Sequence, residues 1–110
     1  MPFYLFKGRY TTDSIKSLVS NPEDREAAAR KMIESLGGKL HHLFFCFGEE
    51  DVIALIEAPD DETMAAGALL VGASGAMAGG ATTKLMTSKE AMKAMKKAGK
   101  SAASYKPVGA

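Results

Sequence analysis

Tryptophan is absent from the 110 residues, histidine occurs twice, and the only cysteine is Cys46. A single thiol cannot close an internal disulfide, so the fold must rest on packing, and a reducing cytoplasm is the expected compartment. The N-terminal stretch MPFYLFKGRY offers no apolar run long enough for a signal peptide. Charge of one sign is missing as well: fourteen Lys and Arg face thirteen Asp and Glu, for a net +1. No global field recruits nucleic acid or an anionic surface, and no nucleic-acid partner is expected. A long strongly hydrophobic run is also lacking. The twenty residues from Met64 to Thr83 carry no charge, but apart from Leu69, Leu70, Val71 and two methionines they are small or weakly polar. Such a stretch gains little from lipid, so no membrane association is expected.

What the chain does have is the ordinary balance of a folded domain, 46% hydrophobic and 25% charged residues. One domain is expected over residues 1–98, with residues 99–110 as a flexible basic end. From Lys84 onward there are seven lysines, one acid and no arginine, a local +6 that leaves −5 on residues 1–83. Without the planar fork of arginine, this run reads as a solvated helix face rather than a phosphate site.

Periodicity orders the elements. Pro2–Tyr10 is a short aromatic strand, apolar on both faces. Cap-type residues Thr11–Asp13 open a short helix with Ile15, Leu18 and Val19 on one side. Asn21 and Pro22 are expected to cap and start a second helix, whose stripe is Ala29, Met32, Ile33 and Leu36 and whose stop is Gly37-Gly38. Leu40–Phe47 and Val52–Ala58 form a hairpin around the turn Gly48–Asp51. A helix from Asp60 to about Gly72, a loose stretch to Gly80, a strand over Ala81–Met86 and a capped helix starting at Thr87 complete the chain, with Ala91, Met92, Met95 and Ala98 expected to face inward. This is the ferredoxin-like βαββαβ order, an α+β antiparallel sheet with its main helices on one face, plus a short helix before the first main one and another at the C-terminus.

Strict alternation along the hairpin puts Leu40, His42, Phe44 and Cys46 on one face and His41, Leu43, Phe45 and Phe47 on the other. Both faces are apolar. An antiparallel sheet covered by helices on one side normally wets the other, so the second face calls for a cover. With few helices available, the expected cover is another copy of the chain, making a homodimer or higher homo-oligomer through the sheet face.

The segment GEEDVIALIEAPDDETMAA, residues 48–66, together with GRYT at the end of the first strand and ESLGGKL before the second, resembles the GYD domain family over roughly residues 2–87. Gly48, Glu49 and Asp51 match its name-giving motif, and Glu50 stands where the family has tyrosine. The resemblance implies a ferredoxin-like fold of the dimeric α+β barrel kind, in a family without an established activity.

The chemistry-bearing residues are few. Glu49, Glu50 and Asp51 could split their pKa values or hold a hard cation, but a Gly-led acidic tetrad is first of all a turn. On a regular strand His41 and His42 point apart and Cys46 lies about 13 Å from His42 at ~3.3 Å per residue, so no shared metal is expected. Gly72–Gly80 has neither the Walker ending nor dinucleotide spacing, and no cofactor is expected. The favoured function is binding of a small apolar or aromatic ligand between sheet and helices, with Met64, Met77 and Met86 as an adaptable lining and Tyr4, His41 or His42 orienting a polar end. The alternatives are a cofactor-free monooxygenase or isomerase with His42, or else His41, as general base, and a purely structural oligomer. No motif joins nucleophile, base and charge-stabilising groups, which weighs against catalysis.

Overall fold

The computed structural model describes residues 1–110. The chain runs β1 (Phe3–Tyr10), α1 (Thr12–Ser20), α2 (Arg25–Ser35), β2 (Lys39–Phe45), β3 (Val52–Glu57), α3 (Asp61–Ala73), β4 (Met77–Leu85) and α4 (Ser88–Lys100), then a single 3-10 turn at Ala102–Ser104. Its four strands form one antiparallel sheet in the order β2-β3-β1-β4, the ferredoxin-like arrangement. Side-chain oxygens open each helix by accepting from its free amides. Thr11 accepts from Ser14, Asp24 from Glu26 and Ala27, and Asp60 from Thr63; Thr87 and Glu90 form a complete capping box. Asp24, rather than Asn21, caps α2, which therefore begins three residues beyond Pro22.

Alternation selects the face of β1 and β3 that meets the helices. Tyr4, Ala54 and Ile56 join Leu40, Ile33 of α2, Met64 of α3 and Ala58 in the buried core, with Val52 and Tyr10 buried beside them. Phe3, Leu5, Ile53 and Leu55 lie on the opposite face, half-exposed. That face has no cover within the chain.

Three local expectations are corrected. First, β2 does not alternate regularly. Its pairing with β3 shifts between Leu40 and His42, an extra residue that leaves Leu40, Leu43 and Phe45 opposite Ile56, Ala54 and Val52 on the helix face. His41 and His42 both fall on the bare face, against Phe3 and Phe44 respectively. Second, the last strand starts at Met77, four residues earlier than its branched residues suggest. Glycines normally weaken a strand, but Gly80 lies where a Cβ would come within 2.7 Å of the Lys7 carbonyl oxygen, so the close approach of β4 to β1 demands glycine there. Third, α4 buries none of its residues: Ala91, Met92, Met95 and Ala98 do not turn into this chain's core. The helix projects, and the Cα radius of gyration is 18.0 Å, against about 13 Å for a compact chain of about 100 residues.

Candidate functional site

Between the helix face of the sheet and helices α2 and α3 lies a chamber of about 250 Å³. Its floor is Phe6, Tyr10, Leu43, Val52, Ala54 and Ile56; α2 and its C-cap contribute Ala29, Met32 and Leu36, and α3 contributes Met64, Gly67, Ala68 and Val71. The wall is small where the helices come together. A Cβ on Gly67 would meet Leu36 Cδ1 at 3.4 Å, an ordinary contact, so glycine here leaves a methyl-sized space open in the wall. Met77 closes one end, its sulfur 3.0 Å from where a Cβ of Gly8 would sit. Flexible thioethers can reshape such a wall at little cost in strain.

The chamber meets a second, polar cleft of about 540 Å³ under α1, and Tyr10, Arg25, Ser74 and Ala76 line both. Around the cleft stand Ser14, Ser17, Ser20 and Asn21, with Asp13 and Glu23. Arg25 bonds Glu23 through Nη1 at 2.7 Å. Burial works against its charge, but the hydrogen bond to Glu23 and the neighbouring Tyr10 outweigh that and hold its pKa above the ordinary value. One apolar compartment thus opens on a polar one across a tyrosine and a fixed guanidinium.

Of the residues singled out from the sequence, Met64 and Met77 line this chamber, whereas Tyr4, His41, His42 and Met86 do not. Tyr4 is buried in the core, and its hydroxyl donates to Asp61 Oδ1 at 2.5 Å, where Lys84 Nζ also reaches at 2.9 Å. The bond to Asp61, together with burial, pushes the phenol up to about 12, so this tyrosine keeps its proton and joins β1, β4 and α3. The same bond and Lys84 hold Asp61 below the usual carboxylate range. His41 Nε2 lies 2.6 Å from Glu57 Oε1 across the β2–β3 ladder on the bare face. His42 is exposed and stacks on Phe44, and Met86 is exposed beyond the end of β4. With both rings off the helix face, a histidine general base has no place in the chamber.

The tetrad Gly48–Asp51 is architectural in this geometry. Asp51 Oδ2 accepts from the Tyr10 amide at 3.0 Å and its own amide donates to the Gly8 carbonyl at 2.9 Å, while Arg9 Nε donates to the Glu49 carbonyl at 2.9 Å. Half-buried Cys46 donates through Sγ to the Glu50 carbonyl at 3.2 Å. The acidic turn thus clamps the end of β1 and sets Tyr10 at the chamber mouth. No three His, Cys, Asp or Glu side chains converge as metal ligands.

A family model for the GYD domain matches residues 4–95. The chain belongs to the GYD domain family. Within the matched residues, Gly48 is the turn glycine and Asp51 the clamp on β1, and Glu50 contributes its backbone carbonyl to Cys46. Among solved structures the GYD chain is similar to MtbAldR, with a TM-score of 0.54 and 16% identity over 78% of this chain. It spans about half of that structure, 52%, and the likeness is one of fold. No curated protein matches the chain. No helix is long and apolar enough to cross a membrane.

Tyr10 and Arg25 did not stand out in the sequence. Tyr10 shares the β1 parity of Tyr4 and Phe6, which marks it as inward. Arg25 sits in the first turn of α2, where a cation opposes the helix dipole; that local inconsistency was the available signal of another role.

Proposed function

We propose that this GYD protein is a small-molecule binding module that takes the apolar body of a ligand between sheet and helices and its polar end at Tyr10 and Arg25. The observation that carries this reading is the junction of the apolar chamber with the polar cleft at those two side chains. A concave apolar wall with a few converging polar groups is the usual form of a small-ligand site. Cofactor-free catalysis finds no such support, because neither histidine reaches the chamber. The bare sheet face, with Phe44 63% exposed, supports the further reading that the module works as a homo-oligomer.

Thermal-shift titration with short aromatic and branched carboxylic acids, alcohols and amides tests the binding reading. A ligand at 100 times its dissociation constant adds about 2.7 kcal/mol to the stability of the form that binds it. At about 4–8 °C per kcal/mol, the midpoint rises by roughly 10–20 °C. Ala68→Phe, which fills the chamber, should abolish the shift while leaving the unliganded protein folded. If no compound moves the midpoint, or if Ala68→Phe leaves the shift intact, the chamber is not a ligand site.

A further inference from the structure

Helix α4 is an amphipathic arm left uncovered by its own chain. At 3.6 residues per turn, Ala91, Met92, Met95 and Ala98 fall on one side and Lys89, Lys93, Lys96, Lys97 and Lys100 on the other. Met92 and Met95 are 51% and 67% exposed. A lone helix of 13 residues is marginal in water, and a capping box adds only about 1 kcal/mol, so this stripe needs a surface to lie on. The two-residue link Met86–Thr87 joins α4 to the edge strand β4.

The same chain presents a surface of matching character. The charge-free stretch from Met64 to Thr83 includes Leu69 and Leu70, 72% and 55% exposed, and the edge strand β4, exposed along nearly all its length. Edge strands are ordinarily protected by lysine, proline or a covering element. β4 has a single lysine, Lys84 near its end, engaged with Asp61, and no proline. The charges are complementary too: +6 from residue 84 onward and −5 before it.

We propose that α4 docks on a second copy of this chain, laying its Met92–Met95 stripe over the uncharged α3–β4 surface with the bordering Lys89 and Lys96 at the rim of the contact, the two arms being exchanged. This rests on the homo-oligomer reading and names a contact distinct from the bare sheet face. Alanines suit close approach to the small residues of α3, whereas two methionines alone give a lipid bilayer little to hold. A protein surface therefore fits the stripe better than a membrane does.

The test compares the full chain with Met92→Lys/Met95→Lys, which removes the stripe without touching the sheet, and with Lys89→Glu/Lys96→Glu, which reverses the charge beside the stripe and leaves the stripe itself. Light scattering across a dilution series gives the mass, and hydrogen exchange reads the α4 amides. The expected result is an oligomer whose α4 amides are protected and lose protection on dilution. Its dissociation constant should rise at least tenfold in the methionine variant and several-fold in the charge variant. A full chain that is monomeric at every concentration overturns the homo-oligomer reading and this one together. An oligomer with unprotected α4 amides, or one equally tight in the methionine variant, overturns the arm alone. So does α4 protection that appears only with anionic vesicles.

Discussion

The joint between α2 and β2 holds two adjacent glycines that the structure requires for different reasons, and substituting them separately tests how this wall of the chamber is set. Gly37 has φ +80°, and its amide donates to the Glu34 carbonyl at 2.9 Å, a left-handed end to α2. Gly38 has no such φ, but a Cβ there would lie 2.6 Å from the Glu57 carbonyl oxygen and 3.0 Å from Ile33 Cγ2. Gly37→Ala incurs the left-handed penalty of about 1–2 kcal/mol and recovers part of it from a less flexible unfolded chain, for a net loss of about 1 kcal/mol. Asn tolerates that conformation, so Gly37→Asn should cost less. Gly38→Ala must displace a sheet backbone rather than the end of a side chain. Overpacking typically costs about 1–3 kcal/mol, and this contact belongs at the upper end. At about 4–8 °C per kcal/mol, the midpoint should fall by roughly 4–8 °C for Gly37→Ala and roughly 12–24 °C for Gly38→Ala. Gly38→Asn should be no better than Gly38→Ala. Circular-dichroism melts at one fixed protein concentration decide the matter. A Gly38→Ala midpoint within two or three degrees, about the noise of such a comparison, or a reversed order of the two sites, would refute the steric account.

Tyr4→Phe removes a bond whose effect depends on pH. The phenol is raised from 10.0 to about 12 on folding, so its contribution is complete below pH 10 and disappears as pH climbs through 12; melts of the two proteins should converge over that window. Asp61 is lowered, so at the acid end the wild type should lose stability relative to Asp61→Asn as pH falls through the carboxylate range. Asp51→Ala strands the Tyr10 amide and should cost about 1–3 kcal/mol in chemical denaturation, while Asp51→Asn keeps an acceptor and should cost less. Thr87→Ala removes half the capping box and about 1 kcal/mol from α4, visible as lost far-UV helicity with the sheet's melting unchanged.

The order of elements was legible because the signals for it are local. Caps, turn glycines and the two periodicities sit within a few residues of what they specify, and Thr87 with Glu90 formed the capping box that their spacing implies. What misled were features fixed by partners far along the chain. The bulge at His41 appears only when β2 is laid against β3, and it moved the histidines from opposite faces to one. The first four residues of β4 read as a loop because their glycines have poor strand propensity, yet Gly80 is needed by the Lys7 backbone more than seventy residues upstream. The chamber was half legible. Met64 and Met77 reach it through regular elements, but Tyr4 was drawn away by Asp61, a residue that by itself is only a helix-opening acid.

The two faces of the sheet divide the molecule's possible work. On the helix face, three polar groups in or beside the chamber are held by a partner: Arg25 by Glu23, the Tyr10 amide by Asp51, and the Tyr4 hydroxyl by Asp61. Such groups orient a ligand without reorganising, which suits recognition, whereas a proton-transfer site would need a group left free to exchange its proton. The one histidine–carboxylate pair, His41 with Glu57, lies on the bare face beside Phe3, where a single chain forms no enclosure around it. Any chemistry from that pair would therefore require a second copy to close the face, which makes the oligomeric state decisive for catalysis at His41. The proposed ligand site, a chamber lined by the sheet, α2, α3 and their connections within one chain, does not share that dependence.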